Sequence, residues 1–445
     1  RGRKRRARLL WASVLTLALT LPLAVPVRGL GRAFTDYRTL LVSRNDGANG
    51  AAIDSDSREP SISLDGHYVA YASGHGAGSQ VYLRDLNDER TELISRSPSG
   101  ARADGESAEP AVSGSGWNVA FSSRAGNLGG RGGESNVYLR LSRKGETILV
   151  SRASGRSGGK GNGDSFAPSI SSDGERIVFA STATNLAPGA KPGVVNVYLR
   201  DLRTDKTTLI SRAAGSGPGG NGDSTNPQIS ASGNAVVFQS TATDLSPLAT
   251  GEDQIYERRL GTADTLLISD AQGQAANRAA VNPSVDGDGG RVAFESAATN
   301  LSEIANPVDN VYVREVGSGE VILVSRSGGG SKAIANGDSA RPDIPRDGRF
   351  VCFESVATNL GNPYDGWGED PGVSNVYVHD LLHHGTFLIS RQTGRYSPGG
   401  NGNSTNVSCS AGASLAAYAS TATNLNPDAR SGVTSVYRRT IFGGR

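Results

Sequence analysis

Short apolar runs separated by polar turns recur along this chain in one fixed order. The clearest copy reads Pro168-Ser-Ile-Ser-Ser-Asp-Gly174, Ile177-Val-Phe179, Ser181-Thr-Ala-Thr-Asn-Leu186, Asn196-Val-Tyr-Leu-Arg-Asp201 and Leu209-Ile-Ser-Arg212. Its hydrophobic positions predict four β-strands, over 169–171, 176–180, 196–200 and 207–211. A Ser-Asp-Gly hairpin joins the first two, with glycine taking positive φ at little steric cost. Alternation sends Ile177 and Phe179 to one face of the second strand and Val178 and Ala180 to the other. Both faces are apolar, so the sheet must be covered on both sides.

Copies open at Pro60, Pro110, Pro168, Pro227, Pro283 and Pro342, a spacing of roughly 50 to 65 residues, in the region of propellers and other arrays. A seventh copy begins at Val407 and reaches Tyr437 without a fourth strand, whereas Thr39-Leu-Leu-Val-Ser-Arg44 matches fourth strands and has no first three before it. An N-terminal strand that completes the last sheet closes a ring and removes two exposed edges. The chain is therefore expected to be all-β: a seven-bladed β-propeller of four-stranded antiparallel blades over 34–445. The repeats resemble the TolB-type, WD40-like (PD40) propeller repeats of bacterial proteins, through the run Pro-x-x-Ser-x-Asp-Gly that leads to the second strand. No helical stretch matches the α/β domain that TolB carries, so the resemblance implies a fold and not TolB's partners.

The N-terminus has a different character. Arg1 to Arg8 is a basic cluster and Leu9 to Val27 an uncharged apolar run, the order of an export signal. Residues 1–33 are read as that signal, cleaved after Ala33, with an uncleaved membrane anchor as the second reading; Pro22 and Pro26 favour the signal. A secreted, periplasmic or cell-envelope location follows, with the membrane touched only if this segment stays. The segment holds eight basic side chains and no acidic ones, so of the 45 basic and 43 acidic groups in the chain the propeller keeps 37 and 43. A nucleic-acid footprint is excluded, and a monomer is expected. Cys352 and Cys409 stand in adjacent blades where other copies carry apolar residues, which predicts buried free thiols, with a disulfide between them as the second reading.

Candidate chemistry is sparse. Gly155-Arg-Ser-Gly-Gly159 and Gly217-Pro-Gly-Gly-Asn-Gly222 mimic a nucleophile elbow and a dinucleotide fingerprint, but neither has the strand-turn-helix setting that chemistry needs. No catalytic residue and no cofactor is assigned, and metal binding is left open. Four residues before five of the six opening prolines stand Asp56, Glu106, Asp164, Asp223 and Asp338, with Ala279 before the other. They predict an acidic collar at the channel mouth, or else caps of tight turns. Strand direction gathers the long connections on one face, and the longest of these, 361–374, carries Tyr364, Asp365, Trp367, Glu369 and Asp370. Aromatic and acidic side chains on a long loop suit recognition of a protein or glycan of the cell envelope. The expected function is non-catalytic binding through this face. The rival is a lyase or glycoside hydrolase with its carboxylates at the channel mouth, although repeated environments oppose the division of roles such a pair requires.

Overall fold

The computed structural model describes residues 37–442 apart from 305, 329–331 and 362–371. Seven four-stranded antiparallel sheets stand around a central channel. Six of them run outward in chain order. In the seventh, Thr39–Leu41 supplies the outermost strand and pairs with Ser435–Thr440, Leu41 opposite Tyr437. The predicted closure is the observed one. A two-stranded ribbon, Asp270–Ala271 with Gln274–Ala275, decorates the connection from blade four to blade five.

The innermost strands begin earlier than their apolar residues suggest: in blade three the strand is Ser165–Ile170, with Pro168 inside it. Proline fits because this strand is the channel-side edge and its ladder breaks there, the register jumping between Phe166 and Ser169 and at the matching place in every blade. A bulge at an edge tolerates a missing N–H.

Burial on both faces is as the alternation demands. Ile177, Phe179 and Tyr198 pack on Ala120, Val137 and Leu139 of blade two, while Val178, Val197 and Leu199 meet Phe238 and Tyr256 of blade four. Each blade also stacks an aromatic ring of its second strand on a tyrosine of its third, with centroids 5.7–5.9 Å apart. Such a pair contributes about 0.5–1.5 kcal/mol beyond its buried area.

Polar latches join the blades at their outer edge. Arg200, buried in the third strand of blade three, donates to the carbonyl of Ala153 in the preceding connection and to Thr207 Oγ1. Thr207 in turn donates to the Arg152 carbonyl at 2.6 Å. Arg258 and Thr265 repeat the arrangement with Ala213 and Arg212. At the closing seam Arg439 donates to Thr39 Oγ1 and to the Arg391 carbonyl. Blade six alone has a histidine here, His379, whose imidazole burial pushes down to about 4.

The two cysteines correct an expectation. Cys352, in the second strand of blade six, and Cys409, at the end of the first strand of blade seven, form a disulfide with Cα atoms 6.7 Å apart. The positions are apolar in other blades because they face one another across the inter-blade boundary. Two thiols placed there meet at bonding range.

Candidate functional site

Tyr364, Asp365, Trp367, Glu369 and Asp370 lie outside the described residues. The channel itself is lined by described residues. Innermost strands run from the long-loop face to the hairpin face, so residues early in each strand surround the mouth on the long-loop side. That mouth encloses about 550 Å³ and is ringed by the residue preceding each opening proline, or Val407 in blade seven. The seven are Glu59, Glu109, Ala167, Asn226, Asn282, Arg341 and Asn406. Every one has positive φ, between 46° and 54°. For side chains with a Cβ this costs on the order of 1 kcal/mol or more each, and here it is repeated seven times in one ring.

Five of these left-handed residues send their backbone N–H to a side chain of the preceding blade. Glu109 N–H donates to Glu59 Oε2 at 2.8 Å and Ala167 N–H to Glu109 Oε2 at 2.8 Å. Asn282 N–H reaches Gln239 Oε1 at 3.1 Å, Arg341 N–H reaches Glu295 Oε2 at 2.7 Å, and Asn406 N–H reaches Glu354 Oε2 at 3.2 Å. Burial raises the carboxyls of Glu59 and Glu354 above the usual range, against the pull of these bonds and of the neighbouring Arg58 and Arg341.

One residue beyond each proline the channel narrows. Ser61, Ser284, Asp343 and Ser408 line both the mouth and a smaller cavity of about 180 Å³ that opens on the hairpin face. The serines bind neighbouring blades: Ser61 Oγ accepts from Val112 N–H, Ser284 Oγ from Ile344 N–H and Ser408 Oγ from Ile62 N–H, at 3.0–3.3 Å. Asp343 takes the same role for Cys409 N–H at 2.6 Å, and burial pushes its carboxyl up to about 6.

A group raised in this way contributes stability below its unfolded value, near pH 4, and loses it as pH rises through 6. Relative to wild type, an Asp343→Ser chain is thus expected to gain roughly 3 kcal/mol between pH 3.5 and pH 7. Denaturant melts of both chains across that range measure the difference. A constant difference would refute a buried, protonatable carboxyl at the neck.

The predicted collar lies on the entrance face but points elsewhere than the channel cavity. Asp56 accepts from Thr434 N–H, Asp164 from Ser135 N–H, Asp223 from Val195 N–H and Asp338 from Asp309 N–H, at 2.6–3.1 Å. Each donor precedes the third strand of the preceding blade, so these carboxylates bridge blades rather than cap their own turns. Glu106 is close enough to Glu59 to help raise its carboxyl. The serines that follow the acids are buried in cross-strand pairs such as Ser165 with Ser181, 2.9 Å. Asn185 of the Ala-Thr-Asn-Leu run likewise ties two loops, accepting from Asn162 N–H and donating to the Lys160 carbonyl.

The signal for the ring that does line the mouth was present in the sequence as its position beside the proline. Its residue types share no chemistry, so nothing marked it. Among the described residues no group of three or more histidine, cysteine, aspartate or glutamate side chains is gathered as a metal site, and no helix is long and apolar enough to cross a membrane.

No family model matches this chain, and no curated protein matches it. Solved structures do. The β-propeller domain of the Trilobed protease from Pyrococcus furiosus is similar over 86% of this chain and 93% of its own, at 11% identity and TM-score 0.52. Oligogalacturonate lyase from Vibrio parahaemolyticus is similar over 92% and 98%, at 13% identity and TM-score 0.51. A putative TolB from Agrobacterium tumefaciens is similar over 61% and 81%, at 19% identity and TM-score 0.40. At these identities the likeness is one of fold.

Proposed function

We propose that this chain is a non-catalytic binding propeller of the TolB-like kind, exported by its N-terminal segment, which takes a protein or glycan of the cell envelope on its long-loop face. The observation that carries this reading is the wide mouth of about 550 Å³ on that face, whose lining carboxylates are already committed to neighbouring blades. Glu59, Glu109 and Asp343 each accept a backbone N–H of the next blade. Acid–base chemistry on a glycan needs two carboxyls with separate protonation and access to substrate; three groups that each hold a backbone N–H of the next blade are not free to act as that pair. The mouth instead offers amides, hydroxyls and strained backbone held rigidly in place, which suits recognition.

Around this rim the loop 361–374 supplies apolar contact through Tyr364 and Trp367 and polar or cation-mediated contact through Asp365, Glu369 and Asp370. The test is a screen of the full-length chain against envelope proteins and envelope glycans, followed by a Trp367→Ala variant. Loss of about 1–3 kcal/mol of binding with the fold intact is expected of an aromatic anchor. Unchanged affinity in a folded variant would remove this loop from the site. Turnover of a glycan in the same screen would overturn the non-catalytic reading.

A further inference from the structure

The ring of bulge N–H groups at the mouth is incomplete, and one of its gaps has the form of a ligand site. Five of the seven N–H groups are capped by a glutamate or glutamine of the preceding blade. The side chain comes from one of two places: the bulge residue itself, as in Glu59 and Glu109, or the fifth residue of the second strand, as in Gln239, Glu295 and Glu354. Two blades have neither. Blade three carries Ala167 and Ala180, blade seven Asn406 and Ala419. Among the described residues no side chain of the preceding blade accepts the N–H of Asn226 or of Glu59.

The gaps differ in what stands beside them. In blade three the cross-strand partner of Ala180 is Phe166, a large ring on the same face. In blade seven the partner of Ala419 is only Thr405. That is the pairing of blade four, where Thr225 faces Gln239, with the glutamine cut back to a methyl group. Glu59 and Asn406 both line the wide mouth, so the gap between blades seven and one opens on it. Arg341 Nη1 donates to Asn406 Oδ1 at 3.3 Å, which leaves the Asn406 NH₂ as a second donor at the same mouth as the Glu59 N–H.

Resting on the reading of this mouth as a binding site, we propose that it receives a protein segment whose glutamine or glutamate side chain enters the gap between blades seven and one and accepts from the Glu59 N–H. A carboxamide or carboxylate oxygen carries two lone pairs and can meet both donors. It would restore from outside the bond that the chain makes internally five times.

Two measurements separate the gap from its occupant. An Ala419→Gln chain copies blade four and should melt about 1 °C higher than wild type, the shift that about 1 kcal/mol produces in a propeller of this size. No rise would overturn the gap itself. The second measurement follows the Glu59 amide resonance of the ¹⁵N-labelled full-length chain during titration with acetyl-Gly-Gly-Gln-Gly-Gly-amide, its glutamate counterpart and a leucine-centred control. The glutamine and glutamate peptides should move the resonance and saturate, the leucine peptide should not, and Ala419→Gln should abolish the response. A resonance that no peptide moves, in a chain that Ala419→Gln still stabilises, would overturn the protein-segment proposal while leaving the wide mouth open to other ligands. Movement by a neutral oligosaccharide alone would overturn it in favour of a glycan.

Discussion

A chain that begins after residue 44 should fail to fold cooperatively, and should not merely melt a few degrees lower. Leu41 and Val42 are buried to within 4% of complete, and their loss forfeits about 1.5–3 kcal/mol each. Arg439 loses its 2.7 Å bond to Thr39 while remaining enclosed by blade seven, and a charged group stripped of a buried partner costs about 1–3 kcal/mol more. The strand Ser435–Thr440 becomes an open edge, primed to pair with another copy. The total approaches the whole stability of an ordinary domain. Circular dichroism melts and size-exclusion chromatography read the result: a broad, low transition with aggregation is expected. A sharp transition at the wild-type temperature would show that the ring does not depend on this strand.

Loss of the Cys352–Cys409 bond should have the next largest effect. The bridge closes a loop of 57 residues, for which the chain-entropy argument gives on the order of 4 kcal/mol. The thiols that remain would be well accommodated, since Cys352 is fully buried and Cys409 nearly so, among Val378, Val407 and Ala416. A Cys352→Ala, Cys409→Ala chain should therefore keep the fold and show a lower denaturant midpoint. Reduction of the wild type should reproduce that midpoint, and reduction of the double variant should do nothing further. Equal midpoints for oxidised wild type and the double variant would refute a stabilising bridge.

The repeats made most of the fold legible before any coordinates. Seven copies in register specify seven blades, and the orphan Thr39–Arg44 run specifies how the ring closes. The bulge was hidden because its left-handed residue is Glu, Ala, Asn or Arg and never glycine, the residue by which positive φ is usually recognised. Once a bulge enters, the parity of side chains along the innermost strand changes. The acids four positions before the proline then turn toward the neighbouring blade, and the residues next to the proline face the channel. A channel collar and a set of inter-blade acceptors would show the same pattern, an acid followed by Ser, so sequence alone does not separate the two roles. The disulfide was ranked second for a related reason: Cys352 and Cys409 occupy positions that alignment marks as apolar, and alignment within a repeat carries no distance between blades.

The closing strand also fixes an order of events. Thr39 lies opposite Arg439, so a segment near the start of the chain cannot find its sheet until almost everything else has been made. Six blades can assemble as local meanders while it waits, because each uses only its own four consecutive strands. The seventh is a long-range event, slow on topological grounds, and it comes last. For the exported chain proposed above, such a lock would keep the ring open until Ser435–Thr440 had followed the rest across.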